Sequence, residues 1–171
     1  MIDSDYVKTM ARYNDWQNRQ METSFAVLSE EALQADRGAF FGSIQGTLSH
    51  LLWGDWIWMS RFDGGDGPEG GIPDSAGMIL TFRDWAEARD RMDARILRWA
   101  EGVSTADLAG DLTWFSGAAG FEVSRPLAMC VTHMFNHQTH HRGQLHSMAT
   151  ATGAKDWVSD LFLMPEEGDW Q

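Results

Sequence analysis

Four of the six histidines in this 171-residue chain fall within nine residues, His133-Met-Phe-Asn-His137-Gln-Thr-His140-His141. The apolar periodicity predicts a helix here, with Leu127, Cys130, Met134, His137, His141, Gln144 and Met148 along its inward seam. His137 and His141 therefore stand where apolar residues are expected. At i,i+4 they share one helical face, with Cβ atoms about 5–6 Å apart. Two imidazoles so placed, aimed into a helical interior, can hold one metal ion. A useful site needs a third ligand from another element, and outside this helix the chain has one histidine, His50.

His50 falls in the middle of a second predicted helix. At i−3, i+4 and i+7 it shares a face with Thr47, Gly54 and Ile57, turned away from the Ile44, Leu48, Leu51 and Met59 side. Thr47 and Gly54 are small and leave room for another helix or a ligand. Three neutral imidazoles suit Zn²⁺, Ni²⁺ or a similar borderline ion and leave coordination positions open, as catalytic sites do. The plain alternative is that the histidines satisfy one another as core residues. Without a ligand, three unpaired buried imidazoles would be costly. His133 and His140 flank the seam as candidates to border the site or to act behind the ligands, and a His133/His137 pair competes with His137/His141. His146 is expected to face solvent.

Four long helices must position these residues. The first spans about 3–28. The second opens at Ser43, a good N-cap, and runs to about Arg61, apolar nearly all round. The glycine- and proline-rich stretch 62–77 reads as a loop. The third helix covers roughly 78–101; its seam, Phe82, Trp85, Met92, Ile96 and Trp99, is broken by Arg89, and Gly102 fits its C-terminal cap. Leu112–Phe115 and Phe121–Val123 flank Ser-Gly-Ala-Ala-Gly, the mark of a short hairpin. Pro126 suits the first turn of the fourth helix and Gly153 its end. Residues 156–171 read as an irregular tail packed through Trp157, Leu161 and Phe162. The fold expected is all-α, a four-helix bundle with a short β-hairpin before the last long helix, in one domain over 1–171.

Composition bounds the partners. A formal charge of −12 argues against a phosphate-binding surface and so against nucleic acid. Nine tryptophans imply large aromatic walls, with Trp53, Trp56 and Trp58 as candidate pocket residues. The lone cysteine, Cys130, forbids an internal disulfide and reads as a small buried apolar residue. No apolar run reaches the ~18 residues of a membrane span, and the acidic opening is unlike a signal peptide, so the chain is expected in the cytoplasm.

Specific strings carry a resemblance. His50-Leu-Leu-Trp-Gly-Asp55 after Gly42-Ser-Ile-Gln-Gly-Thr-Leu, and Asn136-His-Gln-Thr-His-His-Arg-Gly-Gln144, look like the DinB (damage-inducible) superfamily. Tyr13-Asn14-Asp-Trp16-Gln-Asn18 resembles that family's opening motif, and Asp160-Leu-Phe-Leu its tail. The resemblance implies a four-helix bundle, usually a homodimer, holding a divalent metal on three histidines, here His50, His137 and His141. Characterised relatives include transferases and isomerases that use low-molecular-weight thiols such as bacillithiol or mycothiol.

The functional expectation is a metal-dependent enzyme in which the three-His site, with Zn or Ni, activates a small thiol or water for attack on a small electrophile. That describes an S-transferase or a hydrolase, with no protein nucleophile identified. The alternative is a non-catalytic metal- or ligand-binding stress-response protein. Candidates around the ligands are His133, His140, Asn136, Asp55 and Arg142. Asp55 reads either as an acceptor behind a ligand or as a contact between helices. Arg142 reads as a partner for a carboxylate rather than for an anionic substrate. Tyr13, Asn14, Trp16 and Asn18 read as structural.

Overall fold

Ser43 and Asp3 announce two of the long helices, and each behaves as the sequence asks. Ser43 Oγ accepts from Gly46 N–H at 3.0 Å and Asp3 Oδ1 from Tyr6 N–H at 2.9 Å, satisfying donors that have no partner within the helix. The structure, a computed structural model, describes residues 2–166. Its elements in order are α1 (Ser4–Phe25), α2 (Glu30–Gln34), α3 (Ile44–Asp63), α4 (Phe82–Gly102), β1 (Asp111–Ser116), β2 (Phe121–Pro126) and α5 (Leu127–Thr152). Short 3₁₀ turns occupy Ile72–Gly77, Asp107–Ala109 and Leu161–Leu163. The fold is mostly helical with one two-stranded antiparallel sheet. No described helix is long and apolar enough to cross a membrane.

α1 packs on α4 and α5, and α3 packs on the same two helices. Every residue from 44 to 55 of α3 is buried, which matches a helix apolar on nearly every side. Met21, Phe25, Leu48, Leu52, Trp85, Ile96, Phe135 and Leu145 form the shared core. Removing each such side chain from water contributes about 1.5–3 kcal/mol before chain entropy is counted. In the hairpin, Trp114 pairs with Val123 and Ser116 with Phe121.

A polar layer crosses this core. Arg89, the residue that breaks the α4 seam, meets Asp55 of α3 at 2.6 Å and Asp93 at 2.8 Å, and all three are buried. Asn18 of α1 donates to both oxygens of Asp93 at 2.8 and 3.1 Å. Burial raises the Asp93 carboxyl to about 7 even though Arg89 pulls it down. Arg142 of α5 donates to Asn14 of α1 and to Gln138.

Several local expectations are corrected. α4 begins at Phe82, because the Thr81 side chain caps it, and Gly102 is its last helical residue rather than the cap. Pro126 ends β2 and precedes α5 instead of lying in its first turn. The stretch 62–77 includes the end of α3 and a 3₁₀ turn, and α2, capped by Ser29, was not foreseen. Trp157 does pack on the body, edge-on to Phe25 at 5.8 Å, whereas Leu161 and Phe162 are exposed, Phe162 by 83%. The remainder of the expected tail, 167–171, lies outside the described residues.

Candidate metal centre

α3 and α5 run antiparallel, so climbing one helix descends the other. His50 faces His141 with ring centroids 4.7 Å apart, Gly54 faces His137, and Trp58 meets His133 at 5.1 Å. This register brings together the three histidines singled out by helical spacing. His137 Nε2 lies 3.1 Å from His50 Nε2 and 3.1 Å from His141 Nε2. One ligand atom from each of the three can be chosen so that all lie within 4.8 Å of one another, a spacing a single metal ion can span.

Hydrogen bonds behind the rings fix which nitrogen carries the proton. Ser75 Oγ donates to Ile72 O at 2.7 Å, so it accepts from His50 Nδ1–H, 2.7 Å away. Gln144 Oε1, an acceptor only, lies 2.8 Å from His141 Nδ1. Both rings are thereby assigned the Nδ1–H tautomer, and both turn the Nε2 lone pair toward His137 Nε2. His137 Nε2–H can donate to one of them, which leaves a lone pair facing a neighbour with no proton to share. His137 Nδ1 is buried without a hydrogen-bond partner. A cation bound between the three nitrogens would accept all of these lone pairs at once.

A proton does not take that place near neutral pH. Burial, followed by the neighbouring histidines, pushes His137 down to about 3. Burial and then His141 push His50 down to about 4. Burial also lowers His141, against a raising effect from Gln144. All three are neutral imidazoles, the form that ligates metals.

The cradle is specific. A Cβ on Gly54 would lie 2.6 Å from His137 Cε1, so α5 brings its ring over bare backbone. Phe41 stacks on His50 at 3.8 Å and Trp53 at 5.9 Å, walling one side with aromatic rings. The 3₁₀ turn that carries Ser75 is tied to α3 by Ser49 Oγ, which donates to Ser75 O at 2.7 Å, and the segment just after it by Gln45 Nε2, which donates to Ile79 O at 3.0 Å. Ser75, Phe41 and the acceptor role of Gln144 were not foreseen. The one sequence hint for Ser75 is the Pro73-Asp74 pair, whose Asp74 Oδ2 accepts from Gly71 N–H at 2.9 Å and starts the turn.

The other candidates divide. His140 packs edge-on to His141 at 4.8 Å and touches Gln144, so it borders the ligands. His133 is exposed, 6.1 Å from His137 and against Trp58. Asn136 is exposed and makes no hydrogen bond to the histidines. Asp55 belongs to the Arg89 ion pair and serves as a contact between helices. Arg142 points to α1, where it meets Asn14 rather than a carboxylate, because it lies a third of a turn from His141. His146 is half-buried on Trp157 and paired with Asp156, contrary to the solvent-facing expectation. Tyr13 donates to Ser159 O at 2.6 Å and Asn18 to Asp93, both packing roles. Cys130 is 3% exposed, with burial pushing its thiol up, as suits an apolar packing residue. Two concavities elsewhere include no histidine: one of about 810 Å³ beside α4 around Trp56, Arg95 and Trp99, and one of about 610 Å³ around Trp16 and Trp157.

Comparison with known proteins gives the same direction. The curated Protein DinB of Bacillus subtilis (strain 168) is 24% identical over 167 residues, covering 94% of each chain. A DinB-like protein of Bacillus cereus ATCC 10987, known from its crystal structure, superposes with a TM-score of 0.63 at 15% identity, over 84% of this chain and 90% of that one. The DinB family profile matches residues 1–168, and the chain belongs to the DinB family.

Proposed function

We propose that His50, His137 and His141 hold one divalent metal, Zn or Ni, in a metal-dependent enzyme acting on small molecules. The observation that carries this reading is the pair of Nε2 lone pairs, fixed by Ser75 and Gln144, converging on His137. A bound divalent ion would supply Lewis acidity, lowering the pKa of a small thiol or of water so that it attacks an electrophile near neutral pH. The protein's own part is orientation. Ser75 and Gln144 hold two rings in one tautomer, Gly54 admits the third, and Phe41 and Trp53 keep water from one side. No side chain is assigned as nucleophile.

A low-molecular-weight thiol is the favoured co-substrate and an S-transferase the favoured activity, supported by family membership and by a ligand set suited to a thiolate. The four long helices, each packed on two others, support a four-helix bundle. Assembly as a homodimer is proposed from the family resemblance alone. The net charge supports small-molecule partners rather than nucleic acid.

The test is thiol consumption by metal-loaded protein, using a panel of small thiols with an alkylating electrophile. Turnover above a His137→Ala control supports the enzyme. Tight metal binding with no turnover for any thiol, and no hydrolysis, would favour a sequestering stress-response protein instead.

A further inference from the structure

Below the histidines on the same α3–α5 seam lies a second feature that the metal reading does not use. Arg61 lies near the end of α3, and its guanidinium lies over two indoles set edge to face at 68°, 4.6 Å from Trp58 and 5.2 Å from Trp114. It makes no hydrogen bond or ion pair among the described residues. That is unexpected in a chain with 25 acidic against 13 basic residues. Arg19, Arg89 and Arg95 each hold a carboxylate at 3.0 Å or less.

Asp63, two residues further along α3, is held by Arg95 at 2.7 Å, and no carboxylate pairs with Arg61 among the described residues. His133 feels the charge of Arg61. Arg61 thus stands where α3, α5 and the hairpin meet, with Trp58, Trp114 and, against Trp58, His133 around it, in an otherwise acidic protein. This corner is accessible: His133 is exposed, and Trp58, Arg61 and Trp114 are half-buried. It is also continuous with the histidines through Trp58 against His133 and His133 beside His137. From Gly54, level with His137, to Arg61 the helix rises about 10 Å.

We propose that Arg61 recognises an anionic group of the substrate, a carboxylate, sulfonate or phosphate, carried at the far end of the molecule from the atom that meets the three histidines. The proposal deepens the functional reading above and rests on it for the position of the reacting end. The guanidinium, packed against Trp58 and Trp114, can present N–H donors to an anion as a planar fork. Trp58 and His133 then line the middle of the ligand, which is apolar or flat and about 10 Å long.

The test uses the full chain loaded with cobalt(II), titrated with ω-mercapto acids from mercaptopropionate to mercaptoundecanoate, each beside the mercapto alcohol of the same length. Thiolate-to-cobalt absorption reports binding. The expected result is about tenfold tighter binding of the acid than of the alcohol at intermediate length. That preference is lost in Arg61→Gln and partly kept in Arg61→Lys, with cobalt affinity unchanged in both variants. An equal preference in wild type and Arg61→Gln overturns the proposal.

A second arm needs no metal. Octanoate is added to metal-free protein while the Trp58 and Trp114 indole NMR signals are followed. Shifts in the wild type that vanish in Arg61→Gln support the anion site even if cobalt is not held, an outcome that would sink the metal reading alone. Indole signals that respond equally in both proteins, or in neither, overturn the site.

Discussion

Gly54 of α3 and His137 of α5 face each other so closely that a methyl group on Gly54 would sit 2.6 Å from His137 Cε1. This helix-interior glycine gives up roughly 1 kcal/mol of helix propensity relative to alanine, and what it makes possible is the approach of the central imidazole. Gly54→Ala should therefore leave a folded helical protein whose metal affinity falls at least about tenfold as the ring is displaced. Competition with a chromophoric chelator measures the affinity, and circular dichroism checks the fold. Unchanged affinity would mean that His137 is not held where the metal needs it.

The acceptors behind the rings make a separate prediction. Ser75→Ala and Gln144→Leu each remove the partner of an Nδ1–H, and each should weaken metal binding about ten- to a hundredfold. Gln144→Glu should bind at least as well as the wild type, since a carboxylate makes His141 more basic. Isothermal titration of the three variants distinguishes an orienting role from simple packing.

Arg89 tests the buried polar layer. Arg89→Met strands Asp55 and Asp93 without a cation and should destabilise the fold by about 3–5 kcal/mol. Stranded carboxylates protonate as the pH falls, so the loss should be smaller at acid pH than at alkaline pH. Urea denaturation across that range reads the effect. A pH-independent loss would indicate a packing defect instead.

The histidines predict the opposite slope. Their folded pKa values, about 4 for His50 and about 3 for His137, lie below the unfolded value near 6.5. The unfolded chain therefore binds more protons as the pH drops, and stability is lost between about 6.5 and about 3, His50 levelling off near 4 and His137 near 3. Asp93, raised to about 7, acts against this over much of the same window, because the folded state holds its proton first. The comparison must accordingly be between metal-free wild type and a His50→Gln/His137→Gln double variant. The wild type should show the additional acid loss and the variant should lack it.

The seam of α5 was legible because Cys130, Met134, His141 and Met148 recur at helical spacing, and all four are buried. The partner of His50 was legible through Gly54, since a small residue one turn along marks a close approach. Sequence spacing alone left Asp55 between an acceptor behind a ligand and a contact between helices, and it gave Arg142 a carboxylate partner where the structure has Asn14. Five residues along a helix turn a side chain about 140° away, so Asp55 looks at α4 while His50 looks at α5. Ser75 and Phe41 come from segments with no apolar period, where only tertiary packing decides which side chain turns inward. Leu161 and Phe162 were expected to pack because they are apolar, yet Phe162 stays 83% exposed and Leu161 is covered only in part.

The central claim is that three neutral imidazoles form one metal site. The most direct measurement is elemental analysis of protein purified without an affinity tag, beside His50→Ala, His137→Ala and His141→Ala. The account predicts about one equivalent of Zn or Ni in the wild type and loss of metal from all three variants, each still helical. A wild type that takes up no metal even after reconstitution, or variants that keep it, would contradict the account.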